Sequence, residues 1–147
     1  MATQLTLRKG TKIQNDAFTG AEGELTYVSD TKGLRIHDGS TQGGIDVDVV
    51  VVFIKPTAEN NYTWARKYAS GWVEQGGTMS ARSSNSSVTA IFPIQMADSN
   101  YSVNSITVYA SGGTDVANQI TARTTTSVSI YDWSGRETIW EVKGMAA

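Results

Sequence analysis

His37 is the single histidine of the chain, and with Asp38 beside it could begin a metal site or an acid–base couple. Either needs converging partners, usually a second histidine or several carboxylates at suitable spacing. None accompanies it, and the 147 residues contain no cysteine, so His37 reads as a structural loop histidine. The carboxylate pairs Asp46 with Asp48 and Asp132 with Glu137 could in principle serve glycoside hydrolysis. Scaffolds that do so on polysaccharide are long, repetitive and grooved, and this chain has neither the length nor the repeat. No G-x-S-x-G occurs for a serine nucleophile, and the glycines of Gly39–Gly44 lack the G-x-x-x-x-G-K spacing that cradles phosphate. The expectation is a protein that is no enzyme and needs no cofactor or metal.

The aromatic residues are more informative: Tyr62, Trp64, Tyr68, Trp72, Tyr101, Tyr109, Tyr131, Trp133 and Trp140. Aromatic rings stack on the apolar faces of sugars while polar neighbours bond the hydroxyls. Most of these rings are in strand phase, and Trp72, Tyr101 and Trp140 are expected in a core or a subunit interface. The exception is Tyr131-Asp132-Trp133-Ser134-Gly135-Arg136, two aromatics, an acid and a base around a turn. Tyr131, Asp132, Trp133 and Arg136 are the candidate binding residues. The competing expectation is a hairpin whose Trp133 folds back onto the sheet. The Ser80–Ser87 and Ser111–Asn118 loops read as solvated connections.

These residues need a scaffold, and composition selects its type. Leucine is scarce, Ser and Thr supply 33 residues and Gly another 14. Such a chain makes short strands and turns, so the fold class expected is all-β. The net charge is −2, with the twelve Lys and Arg residues dispersed. Nucleic-acid binding needs a concentrated basic face, and none is visible. No stretch approaches the ~20 apolar residues of a membrane span, and MATQLTLRKG lacks a signal-peptide core. Synthesis in the cytoplasm of the producing cell, without membrane insertion, is the expectation.

Three segments follow. In residues 1–45 the pairs Leu5 and Leu7, Leu25 and Tyr27, and Leu34 and Ile36 mark strands of period two with polar residues alternating. Ser29-Asp30-Thr31-Lys32-Gly33 is expected to turn a hairpin. About 44 residues with so few large apolar groups cannot bury a sufficient core, since below about 40 residues domains need disulfides, metals or partners. Partners are the remaining option. Residues 46–61 form a Val-rich connecting strand and linker; the run Val47 to Ile54 is expected to be covered on both sides or packed against its own copies. Residues 62–147 show alternation at Val88 to Ile94, Val128 to Ile130 and Trp140 to Val142, a phase slip between Val103 and Ile106 that predicts a β-bulge, and turns at Gly76-Gly77, Ser83–Ser87, Ser111–Gly113 and Ser134-Gly135. A β-sandwich is expected there.

The stretch Thr19-Gly20-Ala21-Glu22-Gly23-Glu24-Leu25, then Ser29-Asp30-Thr31-Lys32, then Ile36-His37-Asp38-Gly39-Ser40-Thr41-Gln42-Gly43-Gly44, resembles the N-terminal module of bacteriophage tail-fibre and tropism-determinant proteins. The resemblance covers about residues 3–45 and implies an intertwined trimeric β-prism that attaches a fibre to the virion. Tyr68-Ala69-Ser70-Gly71-Trp72-Val73-Glu74-Gln75-Gly76-Gly77, Phe92-Pro93-Ile94 and Trp140-Glu141-Val142-Lys143-Gly144 are similar to the C-terminal domains of prophage tail fibres, which implies a trimeric sandwich tip that contacts the host surface. No long shaft separates the two segments.

Together these expectations describe a homotrimer in a virion tail or tail tip. Its partners would be other tail or baseplate proteins and a host cell-surface glycan or envelope component, and Val47, Val49, Val51 and Phe53 would line the threefold interface. The alternatives are a virion decoration or assembly protein with no host contact and, more remotely, a small enzyme acting on envelope polysaccharide.

Overall fold

Extended backbone dominates, as β-branched and hydroxyl-bearing side chains favour. The structure, a computed structural model, describes residues 7–80, 85–108, 118–133 and 135–147. Its strands are β1 (Arg8–Gly10), β2 (Leu25–Val28), β3 (Gly33–Ile36), β4 (Ile45–Val47), β5 (Val50–Ile54), β6 (Trp64–Tyr68), β7 (Trp72–Met79), β8 (Ser86–Ile91), β9 (Ser102–Thr107), β10 (Gln119–Arg123), β11 (Ser127–Asp132) and β12 (Thr138–Met145). The chain is all-β, relieved among the described residues by a five-residue helix α1 (Lys12–Asp16) and a 3-10 turn (Ala58–Asn60). It divides into two compact units, one running to Val51 and including Tyr68–Ser70, the other holding Val52–Lys67 and Gly71–Ala147.

The first unit is built on a four-stranded sheet in the order β1-β2-β3-β4, with β1 parallel to β2 and the other pairs antiparallel. The expected hairpin joins β2 to β3, Val28 facing Gly33 across it. Helix α1 starts at a capping box: Thr11 Oγ1 accepts from Gln14 N, and the Gln14 side chain accepts from Thr11 N. Each bond satisfies an amide that the first turn leaves without a partner. Of the first expected strand, Leu5 lies outside the described residues, and Leu7 precedes β1.

The Val47–Ile54 run departs from expectation. It is two strands, β4 and β5, with Asp48 and Val49 between them. The break has a cause in backbone bonding. Val49 O accepts from Ala69 N at 2.9 Å, and Asp48 accepts from Ser70 N at 3.0 Å and Ser70 Oγ at 2.9 Å. Nor is the run covered on both sides within the chain: Val47, Val50, Val52 and Phe53 are exposed, whereas Val49 and Val51 are half-buried.

The second unit has a three-stranded sheet, β10-β11-β8, and a five-stranded one, β5-β6-β7-β12-β9. Both contribute to one core: Val73 from β7, Trp140 and Val142 from β12, Ala90 from β8, Val128 and Ile130 from β11, with Phe92, Met96 and Tyr101. Phe92 stacks on Trp140, ring centres 5.9 Å apart, and meets Tyr101 edge-on at 5.3 Å. The alternation read for β8, β11 and β12 therefore has the expected inward residues.

Two expectations for this segment fail. Gly76-Gly77 is no turn; β7 runs through it, because a Cβ on Gly76 would sit 2.6 Å from Trp140 O and one on Gly77 3.0 Å from Thr63 Oγ1. Those glycines allow close approach within a sheet. The bulge between Val103 and Ile106 is also absent: β9 pairs with β12 in unbroken register, and Ile106 simply faces outward. A register shift occurs instead in β10, between Ile120 and Ala122. Of the three rings expected in a core or a subunit interface, Tyr101 and Trp140 are in the core, and Trp72 is 38% exposed outside it. The Ser111–Gly113 turn, Tyr109 and residues 81–84 of the Ser-rich loop lie outside the described residues.

Candidate functional site

In the first unit the sheet turns its polar face inward. Thr26 and Arg35 are buried, together with Asn15 and His37. Burying polar groups is tolerable only when each is bonded, and these are. His37 is 2% exposed; its Nδ1 accepts from Gly20 N at 3.1 Å, and its Nε2 lies 3.1 Å from Thr26 Oγ1. With Nδ1 accepting, the neutral ring carries its proton on Nε2 and donates to the threonine. Phe18 packs edge-on against it at 5.2 Å. His37 lies in the loop that follows β3, as read from the sequence, and is buried there by these bonds.

Arg35 is the second buried hub. Its Nε donates to Asp46 Oδ1 at 2.7 Å, its Nη2 meets Asp16 Oδ1 at 2.7 Å and its Nη1 donates to Gly43 O at 3.0 Å. Burial opposes its charge, but the bonds to Asp16 and Asp46 outweigh it and raise the guanidinium above its ordinary pKa. On Asp16 the bond from Lys12 acts first and that from Arg35 second, and together they lower its carboxyl.

Asp46 and Asp48, read as a possible pair, are taken up separately, and the side chain of Asp132, from the other pair, lies outside what the structure describes. Asp46 is engaged by Arg35 and Asp48 by Ser70. His37 and Asp38 are not coupled either: Asp38 accepts from Ser40 N at 2.9 Å, Thr41 N at 2.7 Å and Thr41 Oγ1 at 2.6 Å. The Thr41 hydroxyl, then the Thr41 and Ser40 amides, hold that carboxyl far below the usual range. The Gly39–Gly44 segment is a structural turn. Among the described residues no three His, Cys, Asp or Glu side chains gather as a metal site would require, and no helix is long and apolar enough to cross a membrane.

The opposite face of this sheet is apolar, and among the described residues its outer aliphatic side chains are left exposed. Two registers cross it: Leu25–Ile36–Ile45 and Tyr27–Leu34–Val47. Leu25, Ile36, Ile45 and Val47 are each between 40% and 54% exposed. A contiguous apolar panel of this kind is a place where other protein surface binds. Val47 had been expected at an interface; Leu25, Ile36 and Ile45 had not. Their signal was available, since three short strands in succession carry the same alternation against a polar face.

In the second unit, Tyr131 and Asp132 end β11, and Trp133 follows. Tyr131 and Trp133 come together at 4.9 Å in an edge-to-face pair, with Trp133 45% exposed. The indole neither stands free nor folds into the core; it leans on its neighbour. Gly135 at φ +67° redirects the chain into β12, and Arg136 is half-buried. Ser134 lies outside the described residues, and of Asp132 only the backbone is described.

With these features in place, the class to which the chain is similar is the bacteriophage tail fibre. Residues 6–41 match the family described as the major tropism determinant N-terminal domain. Over 44 residues the chain is 43% identical to the tail fiber receptor-binding protein of Bordetella phage BPP-1, a match that covers 30% of this chain and 12% of that protein. The resemblance carried by the Thr19–Gly44 motifs is borne out by these two matches. This chain spans only about an eighth of the curated relative's length. Among solved structures, the C-terminal part of the R2 pyocin fiber of P. aeruginosa aligns with a TM-score of 0.48 and 20% identity over 56% of this chain and 23% of that one. The major tropism determinant P3c variant aligns with a TM-score of 0.30 and 25% identity, covering 58% and 28%.

Proposed function

We propose that this chain is a non-enzymatic tail-fibre or tail-tip subunit of a phage virion. It assembles as a homotrimer, docks on other tail or baseplate proteins through residues 1–45 and meets a host cell-surface glycan through a sandwich-type domain, residues 62–147. The observation that carries this reading is the uncovered apolar panel of β2, β3 and β4. Its polar reverse side is fully bonded within the chain, so the panel is the side left for other copies. A trimeric prism would close the three panels on one another, with Val47, Val49 and Val51 continuing the contact and Phe53, read with them from the sequence, left outside it. Three copies present three weak sites at once, which raises avidity without new contacts. In the second unit the Tyr131–Trp133 pair offers an aromatic platform, which suits a saccharide, and Asp132 and Arg136 are the neighbours in sequence proposed to share the contact.

Sedimentation equilibrium tests the assembly. The expected mass is three times 15.8 kDa for the native chain and 15.8 kDa for Ile45→Asp. A native chain that sediments as a single copy overturns the reading. Glycan-array binding by the trimer, lost in Trp133→Ala at unchanged mass, supports the receptor contact; capture by purified virions but not by host envelopes, with no glycan bound, would replace it with a purely structural role.

A further inference from the structure

The second unit has a cleft that nothing above uses. It opens on the side of the five-stranded sheet turned away from the core, is lined by Phe53, Pro56, Trp64, Arg66, Glu74 and Glu141, and holds about 430 Å³. Small-molecule sites range over roughly 300–1,000 Å³. Trp64 stands opposite Gly76 on the neighbouring strand. A Cβ there would come within 3.0 Å of the indole Nε1 and 3.1 Å of Cε2, so the ring is seated against glycine backbone and cannot collapse further. Phe53 is 58% exposed, and the Arg66 guanidinium lies 5.8 Å from its ring centre. At the middle of the sheet, Lys143 Nζ meets Glu141 Oε1 at 3.3 Å and Glu74 Oε1 at 3.9 Å.

We propose that this cleft binds a neutral pyranose, one unit of a host oligosaccharide. Indole and phenyl walls suit the C–H faces of a sugar ring. The two carboxylates can accept from hydroxyls, and the Arg66 guanidinium can donate to them. Arg66 in the lining and Lys143, which reaches both carboxylates from beside it, balance Glu74 and Glu141, so neither an acidic nor an amino sugar gains from the cleft. A longer glycan continues past Lys143 to a second hollow of about 340 Å³, where Trp72, Asp98, Asn100 and Ser102 stand. This face also differs from the panel of the first unit, because its centre is an internally paired charge ladder rather than aliphatic. The biological sense of the site rests on the receptor-binding reading.

Saturation-transfer NMR on the full chain, with methyl glycosides of glucose, galactose and mannose alongside glucuronic acid and glucosamine, provides the test. Millimolar binding is the order expected for so small a ligand. At least one neutral sugar is expected to bind, with preference over both charged ones, and to bind tenfold or more weakly in Phe53→Ala and in Glu141→Gln, the solution mass staying unchanged. Equal binding by both variants, preference for a charged sugar, or a changed mass overturns the proposal, the last by making this face a subunit contact. Binding lost in Trp133→Ala but retained in both cleft variants removes this site and leaves the receptor reading standing. Failure of every saccharide with the native chain removes both.

Discussion

Arg35 and Asp46 stand opposite one another on β3 and β4, Nε 2.7 Å from Oδ1, the arginine only 5% exposed and the aspartate facing solvent. The same guanidinium reaches Asp16 and the Gly43 carbonyl. One side chain therefore ties a strand, a neighbouring strand, the end of α1 and a turn together. It does so where a larger domain would use aliphatic packing.

Replacing this hub tests that substitution of polar for apolar interior. Breaking a buried pair costs about 3–5 kcal/mol, less where the partners keep access to water. Arg35→Met is expected to lose about 2 kcal/mol, because Asp16 and Asp46 can rehydrate. Asp46→Asn should stay within about 1 kcal/mol, Asp16 still holding the guanidinium. Urea unfolding at one fixed protein concentration separates the two; equal losses would mean that Arg35 acts through Asp46 alone.

Gly20 is needed for the histidine beneath it. A Cβ at this position would lie 2.6 Å from His37 Cγ and 2.9 Å from its Cβ. Overpacking of this kind costs about 1–3 kcal/mol. Gly20→Ala should lower the melting temperature accordingly, and the loss should be smaller when His37→Ala is already present, since the ring contacts are then gone and only the 2.9 Å approach to Cβ remains. Additive effects would refute the contact.

Asp38 supplies the pH dependence. Its carboxyl is lowered by three bonds within its own turn. A carboxylate whose folded pKa is depressed stabilises fully above the unfolded value of about 3.9 and loses that contribution as pH falls below it. The native chain should melt higher than Asp38→Asn at pH 7, the gap narrowing from about pH 4 downward. A gap constant from pH 7 to pH 3 would show that the charge is not what holds the turn.

Gln75 is fully buried and clamps a loop by two bonds: its Nε2 donates to Ile94 O at 2.8 Å, and its Oε1 accepts from Ile94 N at 3.0 Å. Gln75→Leu fills the volume but leaves both backbone groups of Ile94 unpaired. At about 1–3 kcal/mol for each stranded group, a loss of about 3 kcal/mol is expected. Hydrogen exchange should report the Ile94 amide as the most accelerated of its neighbourhood.

Much of this fold is legible in residue patterns. Period two located β2, β3, β8, β11 and β12, and Asp30 with Gly33 marked the hairpin. What escaped was decided by contacts distant in sequence. Gly76-Gly77 looks like a turn until Trp64 and Trp140 are placed beside it. The Val47–Ile54 run looks continuous until the amides of Ala69 and Ser70 donate to Val49 O and the Asp48 carboxylate. Helix α1 was readable from its Thr11–Gln14 box, but five residues give no periodicity to find. At the candidate sites, the aromatic pair Tyr131 and Trp133 was nameable from the sequence. The polarity of the first sheet was not, because alternation fixes which residues share a face and says nothing of which face is inside.

That outward-facing panel has a thermal consequence. Attraction between apolar surfaces fades on cooling, since near room temperature its source is the entropy of water. Whatever lies against Leu25, Ile36, Ile45 and Val47 is accordingly gripped less firmly near freezing than at growth temperature. Chilling, rather than mild heating, is the condition that would loosen it while the hydrogen-bonded interior of the same sheet stays intact.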